Sequence, residues 1–176
     1  MRPGFLQTQL RESWATRRYR FLMNCYPMFF GTGGKILFWS SCYHEIHVRL
    51  RLNMWTYNLV GTMFGGSMFA AADPFYMVML HQILGEDYVV WDKAASIRFR
   101  KPGRTKIYMR FLLEPAWVEA LKEDVHANGS AERVLQLEWK DAEGVVYAHI
   151  ERTLYVATKT HYEATKKDRQ KVRLKG

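Results

Sequence analysis

Residues 58–80 read NLVGTMFGGSMFAAADPFYMVML and are the most informative segment of the chain about its architecture. Gly65 and Gly66 precede a long apolar run, and Asp73 is the only charged residue in the stretch. The first N–H groups of a helix have no intrahelical acceptor, and glycine lets a ligand come close to them. The pattern predicts a buried helix over about Gly65–Leu84, followed by a glycine as its C-terminal cap. The dipole of this helix favours negative charge at its N-terminus.

Two strands are predicted before this helix, over Lys35–Ser40 and Glu45–Asn53. In the second strand apolar and polar residues alternate strictly, which is typical of a strand with one buried face. His47 and Arg49 lie on the polar side of that strand, so we expect both side chains to face away from the core.

Four strands and one short helix are predicted after the central helix. The helix covers Pro115–Val125, and the strands cover Tyr88–Arg100, Thr105–Leu113, Arg133–Lys140 and Val145–Ala157. Strands joined largely by tight turns favour antiparallel pairing, and a helix that is apolar nearly all round must be enclosed. We therefore predict an α+β fold in which an antiparallel sheet wraps around one long central helix.

The composition is that of a globular protein with basic ends. The chain has 176 residues, of which 48% are hydrophobic, and a net charge of +9. These values exclude a disordered, collagen-like or coiled-coil chain. Five arginines lie within residues 1–20 and seven lysines or arginines within residues 159–176. The two cysteines are too few for a disulfide framework.

The sequence divides into three parts. Leu6, Leu10 and Trp14 are spaced four residues apart, which predicts an amphipathic helix within residues 1–25 that docks on the domain. Residues 26–158 are predicted to form the folded domain. The last part, 159–176, is a basic C-terminal tail without apolar periodicity, so we expect it to bury almost nothing.

The sequence also favours a cytoplasmic protein without a transmembrane segment. No apolar signal-peptide core follows Met1, and the most apolar run, Leu59–Leu80, contains Asp73 followed by Pro74. Basic ends attract anions, but the aromatic residues fall on core faces rather than among the basic residues. This pattern therefore argues against a nucleic-acid partner.

Asp73 is the first candidate for chemistry. A carboxylate within a mainly apolar helix is expected to be partly desolvated, which suits a general base or a nucleophile. Pro74 leaves two structural alternatives. Either the proline kinks a continuous helix, or Asp73 caps a second helix that starts at Pro74.

At this point the chain resembles a known family. Asn58, Phe64-Gly65-Gly66 and Asp73 have the spacing of the active-site segment of hot-dog-fold acyl-CoA thioesterases of the phenylacetate-degradation type. The resemblance covers roughly residues 26–158 and is closer still to an uncharacterised, thioesterase-like branch of that superfamily. The family has a histidine where this chain has Phe64, so any polar role of that side chain is lost.

The resemblance implies hydrolysis of an acyl thioester, with acyl-CoA as the substrate. The N–H group of Gly65 would bind the carbonyl oxygen, and Asp73 would activate water or attack directly. Asn58 would orient the water or the thioester, while Phe64 and Gly66 would contact the substrate. In such enzymes the site lies between two subunits, so the resemblance implies a homodimer or a dimer of dimers. It implies no metal and no cofactor.

A group of basic residues ends or follows the third predicted strand and could contact the phosphates of coenzyme A. Its members are Arg98, Arg100, Lys101 and Arg104. The alternative is that they form a solvated edge of the sheet.

Three other functions remain open on the sequence. Because Phe64 replaces a histidine, the protein could bind acyl-CoA or fatty acyl groups without catalysis. It could instead be an interaction protein that uses its basic ends. A hot-dog dehydratase is a weaker alternative, since no histidine lies near Asp73 in the sequence to share acid and base functions.

Overall fold

A computed structural model describes the backbone of residues 3–173 and the side chains of residues 3–167. A 3-10 turn at Gly4–Leu6 comes first. The α-helices are α1 (Trp14–Cys25), α2 (Pro27–Phe30), α3 (Gly65–Ala70), α4 (Phe75–Leu84), α5 (Pro115–Asn128) and α6 (Lys159–Arg173). The strands are β1 (Gly34–Trp39), β2 (Glu45–Leu50), β3 (Tyr88–Phe99), β4 (Ile107–Leu112), β5 (Ser130–Lys140) and β6 (Val146–Thr158).

The six strands form one antiparallel sheet in the order β1-β2-β4-β5-β6-β3. The helical stretch of residues 65–84 provides much of the core, because Phe75, Met79 and Leu80 have no solvent exposure. The predicted α+β fold, with an antiparallel sheet around a central helix, is therefore confirmed. The helix that follows β4 also lies where the sequence predicts it, although it extends to Asn128.

The central helix is interrupted between Ala71 and Pro74, where α3 ends and α4 begins. Proline has no N–H group and cannot continue the hydrogen-bond ladder of α3. Gly85 ends α4 as predicted, with a positive φ of 82° and an N–H group that donates to the carbonyl of His81. The interruption places Asp73 at a bend rather than within a continuous helix.

The predicted N-terminal helix begins later than the spacing of Leu6, Leu10 and Trp14 indicates. Helix α1 starts at Trp14 because Ser13 and Thr16 form a reciprocal capping box before it. Leu6 is buried, but Trp14 is exposed. The expectation of one helix docked through all three residues is therefore wrong.

The last residues, predicted as a basic tail that buries almost nothing, contain regular secondary structure. The backbone of Lys159–Arg173 forms helix α6. The hydroxyl of Thr158 accepts a hydrogen bond from the N–H group of His161, which is the pattern of an N-cap, and Lys159 N–H donates to the carbonyl of Asp87. Apolar periodicity did not indicate this helix because its start depends on a cap and on contact with the sheet.

The two edges of the sheet differ in how they are covered. The N-terminal segment covers β1, since Asn24 exchanges two hydrogen bonds with the backbone of Ile36 and the Glu12 carboxylate accepts the Trp39 N–H. In the described part of the chain, β3 has a hydrogen-bonded neighbour on one side only, which is β6. An uncovered edge of twelve residues can pair with another strand.

A buried polar cluster explains why His47 is not exposed as the alternation in β2 predicts. Glu45 is only 1% exposed and accepts hydrogen bonds from Thr8, His47 and Arg110. The N-terminal segment that carries Thr8 covers this part of the outer face of the sheet. Burial by itself raises the pKa of Glu45, but the hydrogen bonds from Arg110, Thr8 and His47 outweigh it and lower that pKa below 4.5.

Replacing Glu45 by glutamine is expected to lower the free energy of unfolding by about 2 kcal/mol near neutral pH. The reason is that the hydrogen-bond donors around the buried Glu45 lose the negatively charged acceptor that they share. Since the pKa of Glu45 is lowered on folding, this difference is complete above its usual value and shrinks as the pH falls through the lowered pKa. Urea denaturation of both proteins across the acid range measures the difference. Glu119→Gln on the exposed side of α5 is the control, and a difference that does not vary with pH would contradict the assignment.

Candidate functional site

The start of α3 is held from two sides. The N–H group of Phe64, the N-cap residue, donates to the carbonyl of Thr56 at 2.6 Å. At the other end of the helix, the buried indole of Trp139 on β5 donates to the carbonyl of Met68 at 2.8 Å. The N–H groups of Gly65 and Gly66 follow the cap, where helix geometry provides no intrahelical acceptor. This rigid N-terminus can present them to an oxyanion.

Two aromatic rings lie close to these glycines. The ring of Phe99 lies over Gly65, where an added Cβ would come within 2.6 Å of it, and the ring of Phe64 lies over Gly66 in the same way. Both rings are about half exposed. The position of the family histidine is therefore occupied by an apolar surface beside the helix N-terminus.

Asn58 organises the loop before α3. Its side-chain oxygen accepts hydrogen bonds from the N–H groups of Val60 and Thr62, and its amide donates to the Thr62 hydroxyl. An amide nitrogen has two hydrogens, so one donor remains after these contacts. The structure thus shows a structural function for Asn58 and leaves one N–H group for a substrate or water.

Asp73 belongs to a charged group of three residues that the sequence did not predict. Its Oδ1 accepts a hydrogen bond from Nη2 of Arg152 at 2.8 Å. The same guanidinium binds Asp92 of β3, through Nε at 3.1 Å and through Nη2 at 3.0 Å. Arg152 lies on β6, the strand that pairs with the edge strand β3, and is 1% exposed. It therefore links the bend of the helix to the open-edge strand from within the core.

Two expectations about Asp73 are not met. Its side chain is 60% exposed in the single subunit, so the carboxylate is not desolvated there. Its carboxylate also makes no capping hydrogen bond to α4, whose N-cap position is taken by Pro74. The interaction that holds Asp73 is the ion pair with Arg152.

The sequence did contain a signal for Arg152. In β6 the inward-facing residues alternate as Ala148, Ile150, Arg152, Leu154 and Val156. Burying a charged side chain among apolar residues on the inward face of a strand costs free energy unless the charge is paired. Burial lowers the pKa of Arg152, but the two carboxylates outweigh this effect and raise it, so the guanidinium stays charged.

The basic group at the end of β3 and in the loop after it lies beside this site. All four members, Arg98, Arg100, Lys101 and Arg104, are exposed. The loop that carries the last three is attached to the residues before α3, because Met63 N–H donates to the carbonyl of Gly103 at 2.7 Å. Arg98 and Arg100 also line a cavity of about 540 Å³ on the sheet, which contains Glu138 and Glu151.

The described residues contain no group of three or more histidine, cysteine, aspartate or glutamate side chains arranged to hold a metal ion. Across the same residues, none of the helices combines the length and the apolar character needed to cross a bilayer.

Comparison with known proteins gives a family and a fold. Residues 17–156 match the family described as a domain of unknown function, DUF4442. No curated protein matches the sequence.

Several solved structures share the fold. One is a Pseudomonas aeruginosa protein of unknown function, described as a probable thioesterase, with 19% identity, a TM-score of 0.70, and coverage of 86% of this chain and 99% of the other. A Chlorobaculum tepidum protein of unknown function has 12% identity, a TM-score of 0.65, and coverage of 82% and 95%. A thioesterase from Haemophilus influenzae has 15% identity, a TM-score of 0.60, and coverage of 86% and 96%. The chain therefore has the hot-dog fold of thioesterase-like proteins.

Proposed function

The chain belongs to the DUF4442 family and has a thioesterase-like fold, and from this premise we propose that it hydrolyses an acyl thioester, with acyl-CoA as the substrate. One observation carries the proposal. The central helical stretch has a rigid glycine N-terminus and, at its bend, an exposed carboxylate held by a buried arginine. The names of the thioesterases among the structural neighbours support the same reaction class.

The proposed reaction needs two subunits. Asp73 lies eight positions after Gly65, beyond the far end of α3, and the six residues of α3 alone correspond to a rise of about 9 Å. Groups that far apart do not contact the same carbonyl group. A homodimer formed through the open edge of β3 would bring Asp73 of one subunit toward Gly65 of the other, and it would cover the exposed ring of Phe99.

In the proposed reaction, the Gly65 N–H group donates to the thioester carbonyl oxygen and stabilises the negative charge that develops there. Asp73 takes a proton from water, whose oxygen attacks the carbonyl carbon. The carbon–sulfur bond then breaks, and the proton passes to the leaving thiolate, so that a free acid and a thiol are formed. Direct attack by Asp73 through an acyl anhydride, which water then opens, is the alternative route.

The remaining site residues are proposed to bind and orient the substrate. Asn58 uses its second amide hydrogen to orient the water or the thioester. Phe64 and Gly66 contact the acyl group near the carbonyl. The basic group of four residues at the end of β3 and in the following loop meets the phosphates of coenzyme A, because that loop adjoins the start of α3 through Gly103.

Release of thiol from short, long and aromatic acyl-CoAs tests the function directly. Phe64 in place of a histidine favours a second candidate, an acyl-CoA binder without catalysis. Saturable binding of acyl-CoA without thiol release would decide for the binder. Release with at least one of the substrates would decide for the hydrolase.

The proposed homodimer can be tested separately by a charge at the edge of β3. Ala95 is exposed on β3, and Ala95→Glu is expected to give a monomer by sedimentation velocity, because a charge at the edge opposes strand pairing. The wild type is expected to sediment as a dimer or a dimer of dimers. Ala120→Glu, on the exposed side of α5, is the matched control and should keep the wild-type state. A monomeric wild type at micromolar concentration would exclude the shared site.

A further inference from the structure

A cavity away from the candidate active site is distinguished by its charge. It has a volume of about 340 Å³ and lies between α2, the start of β1, the end of β2 and the loop after β2. Its lining includes Lys35, Arg49 and Arg51 but no carboxylate, whereas two larger cavities each contain two glutamates. We propose that this basic pocket binds a ligand that carries a phosphate group.

The cations of the basic pocket repel one another in the free protein. Lys35 and Arg49 are directly opposite each other on β1 and β2, where like charges destabilise a sheet. None of the three cations pairs with a carboxylate of the side chains that the structure describes. Nε of Arg49 is buried and has no hydrogen-bond partner. An anion between these side chains would relieve the repulsion and accept the unused hydrogen bond.

The walls of the basic pocket are held in place without a ligand. The Asn53 side-chain oxygen accepts the N–H group of Trp55 at 2.8 Å, and the Thr56 hydroxyl donates to the carbonyl of Arg51 at 2.7 Å. The indole of Trp55 is exposed and packs edge-on against Phe30, with 6.3 Å between the ring centroids. A preformed site of this kind loses little entropy when a ligand binds.

The cations and the aromatic rings of the basic pocket together indicate the chemistry of the ligand. Two arginines and a lysine match the charge and the hydrogen-bond geometry of a phosphate ester. The exposed rings of Trp55 and Phe30 offer an adjacent surface for a flat or apolar group. The volume is in the range of small-molecule sites, about 300–1,000 Å³. A nucleotide has this combination in its phosphates and base, and an anionic phospholipid has it in its headgroup phosphate and acyl chains.

Direct binding measurements on the full chain test the proposal without any thioester. Adenosine diphosphate is titrated by calorimetry, and vesicles of phosphatidylcholine with and without phosphatidylserine are tested by co-sedimentation. The pocket variant is Arg49→Gln combined with Arg51→Gln. The control variant, Lys159→Gln combined with Lys166→Gln, removes the same charge from exposed positions of α6.

We expect one of the two probes to bind the wild type and the control, with an affinity at least about tenfold lower for the pocket variant. Binding of the nucleotide identifies a soluble ligand, and binding that requires phosphatidylserine identifies a lipid. Absence of binding to both probes, or an equal loss in the control variant, would overturn the proposal. These binding measurements do not depend on thioester hydrolysis. They therefore remain interpretable even if the protein proves not to be a thioesterase.

The thermal stability of the variants gives an independent check. Because like charges are removed, the pocket variant and the single change Lys35→Gln are expected to melt at or above the wild-type temperature. The ligand that binds should raise the melting temperature of the wild type and not that of the pocket variant. If the pocket variant does not fold, Lys35→Gln replaces it in the binding measurements. A Lys35→Gln protein that binds the probe with wild-type affinity would then contradict the proposed phosphate site.

Discussion

Asp73→Asn is expected to leave the fold intact and to reduce thioester turnover by at least about 100-fold, the lower range for loss of a positioned proton-transfer group. Asparagine has nearly the same shape and can still accept a hydrogen bond from Arg152, but it serves neither as a base nor as a nucleophile. Thiol release from the best acyl-CoA substrate, measured with the wild type and the variant, gives the ratio of kcat values.

The stability of Asp73→Asn distinguishes catalysis from a structural role. The carboxylate is 60% exposed and makes no capping bond, so its loss should change the free energy of unfolding by less than about 1 kcal/mol. Asp87→Asn is the matched control, because this aspartate is exposed just before β3 and is remote from the helix bend in sequence. A folded Asp73→Asn protein with wild-type turnover would move the chemistry to another residue.

Replacing Arg152 by glutamine is expected to lower the free energy of unfolding by about 3 kcal/mol or more, because the change leaves the two carboxylates that Arg152 binds without their cation. Most of this loss should come from Asp92, whose side chain is 24% exposed, rather than from the more exposed Asp73. Urea denaturation of Arg152→Gln, Asp92→Asn and the double variant measures the coupling. If the two single effects are simply additive, the ion pair contributes nothing to stability.

Arg152→Lys separates positioning from folding. Lysine keeps the positive charge but has no planar fork that can hold two carboxylates at once. If Arg152 positions Asp73, kcat should fall about tenfold or more while KM for the acyl-CoA stays the same. A purely structural role predicts unchanged kcat in the fraction that folds. The arginine is therefore a positioning residue in this proposal, and the catalytic group is Asp73.

The comparison of Asp73 with Arg152 shows what a linear sequence can indicate about this site. The spacing of Asn58, Gly65 and Asp73 lies within one short segment, so a local motif reveals it. Arg152 is 79 residues from Asp73 and 60 from Asp92, and no local pattern contains that contact. The only sequence signal for this contact is that Arg152 alternates with apolar residues on the inward-facing side of β6. The basic pocket is similar, since Lys35 and Arg49 become neighbours only when β1 pairs with β2.

The strands, the helical character of residues 65–84 and the glycine that ends α4 could be predicted without coordinates, because periodicity and capping act between residues close in the chain. The sequence also indicated the antiparallel α+β arrangement through its short connections. Packing in three dimensions was needed to show that β1 is covered while β3 is open, that His47 is buried, that the central helix breaks before Pro74, and that Asp73 is an exposed partner of Arg152. The physical reason is that burial and ion pairing depend on which segments pack together in space, whereas local propensity depends only on neighbours in the chain.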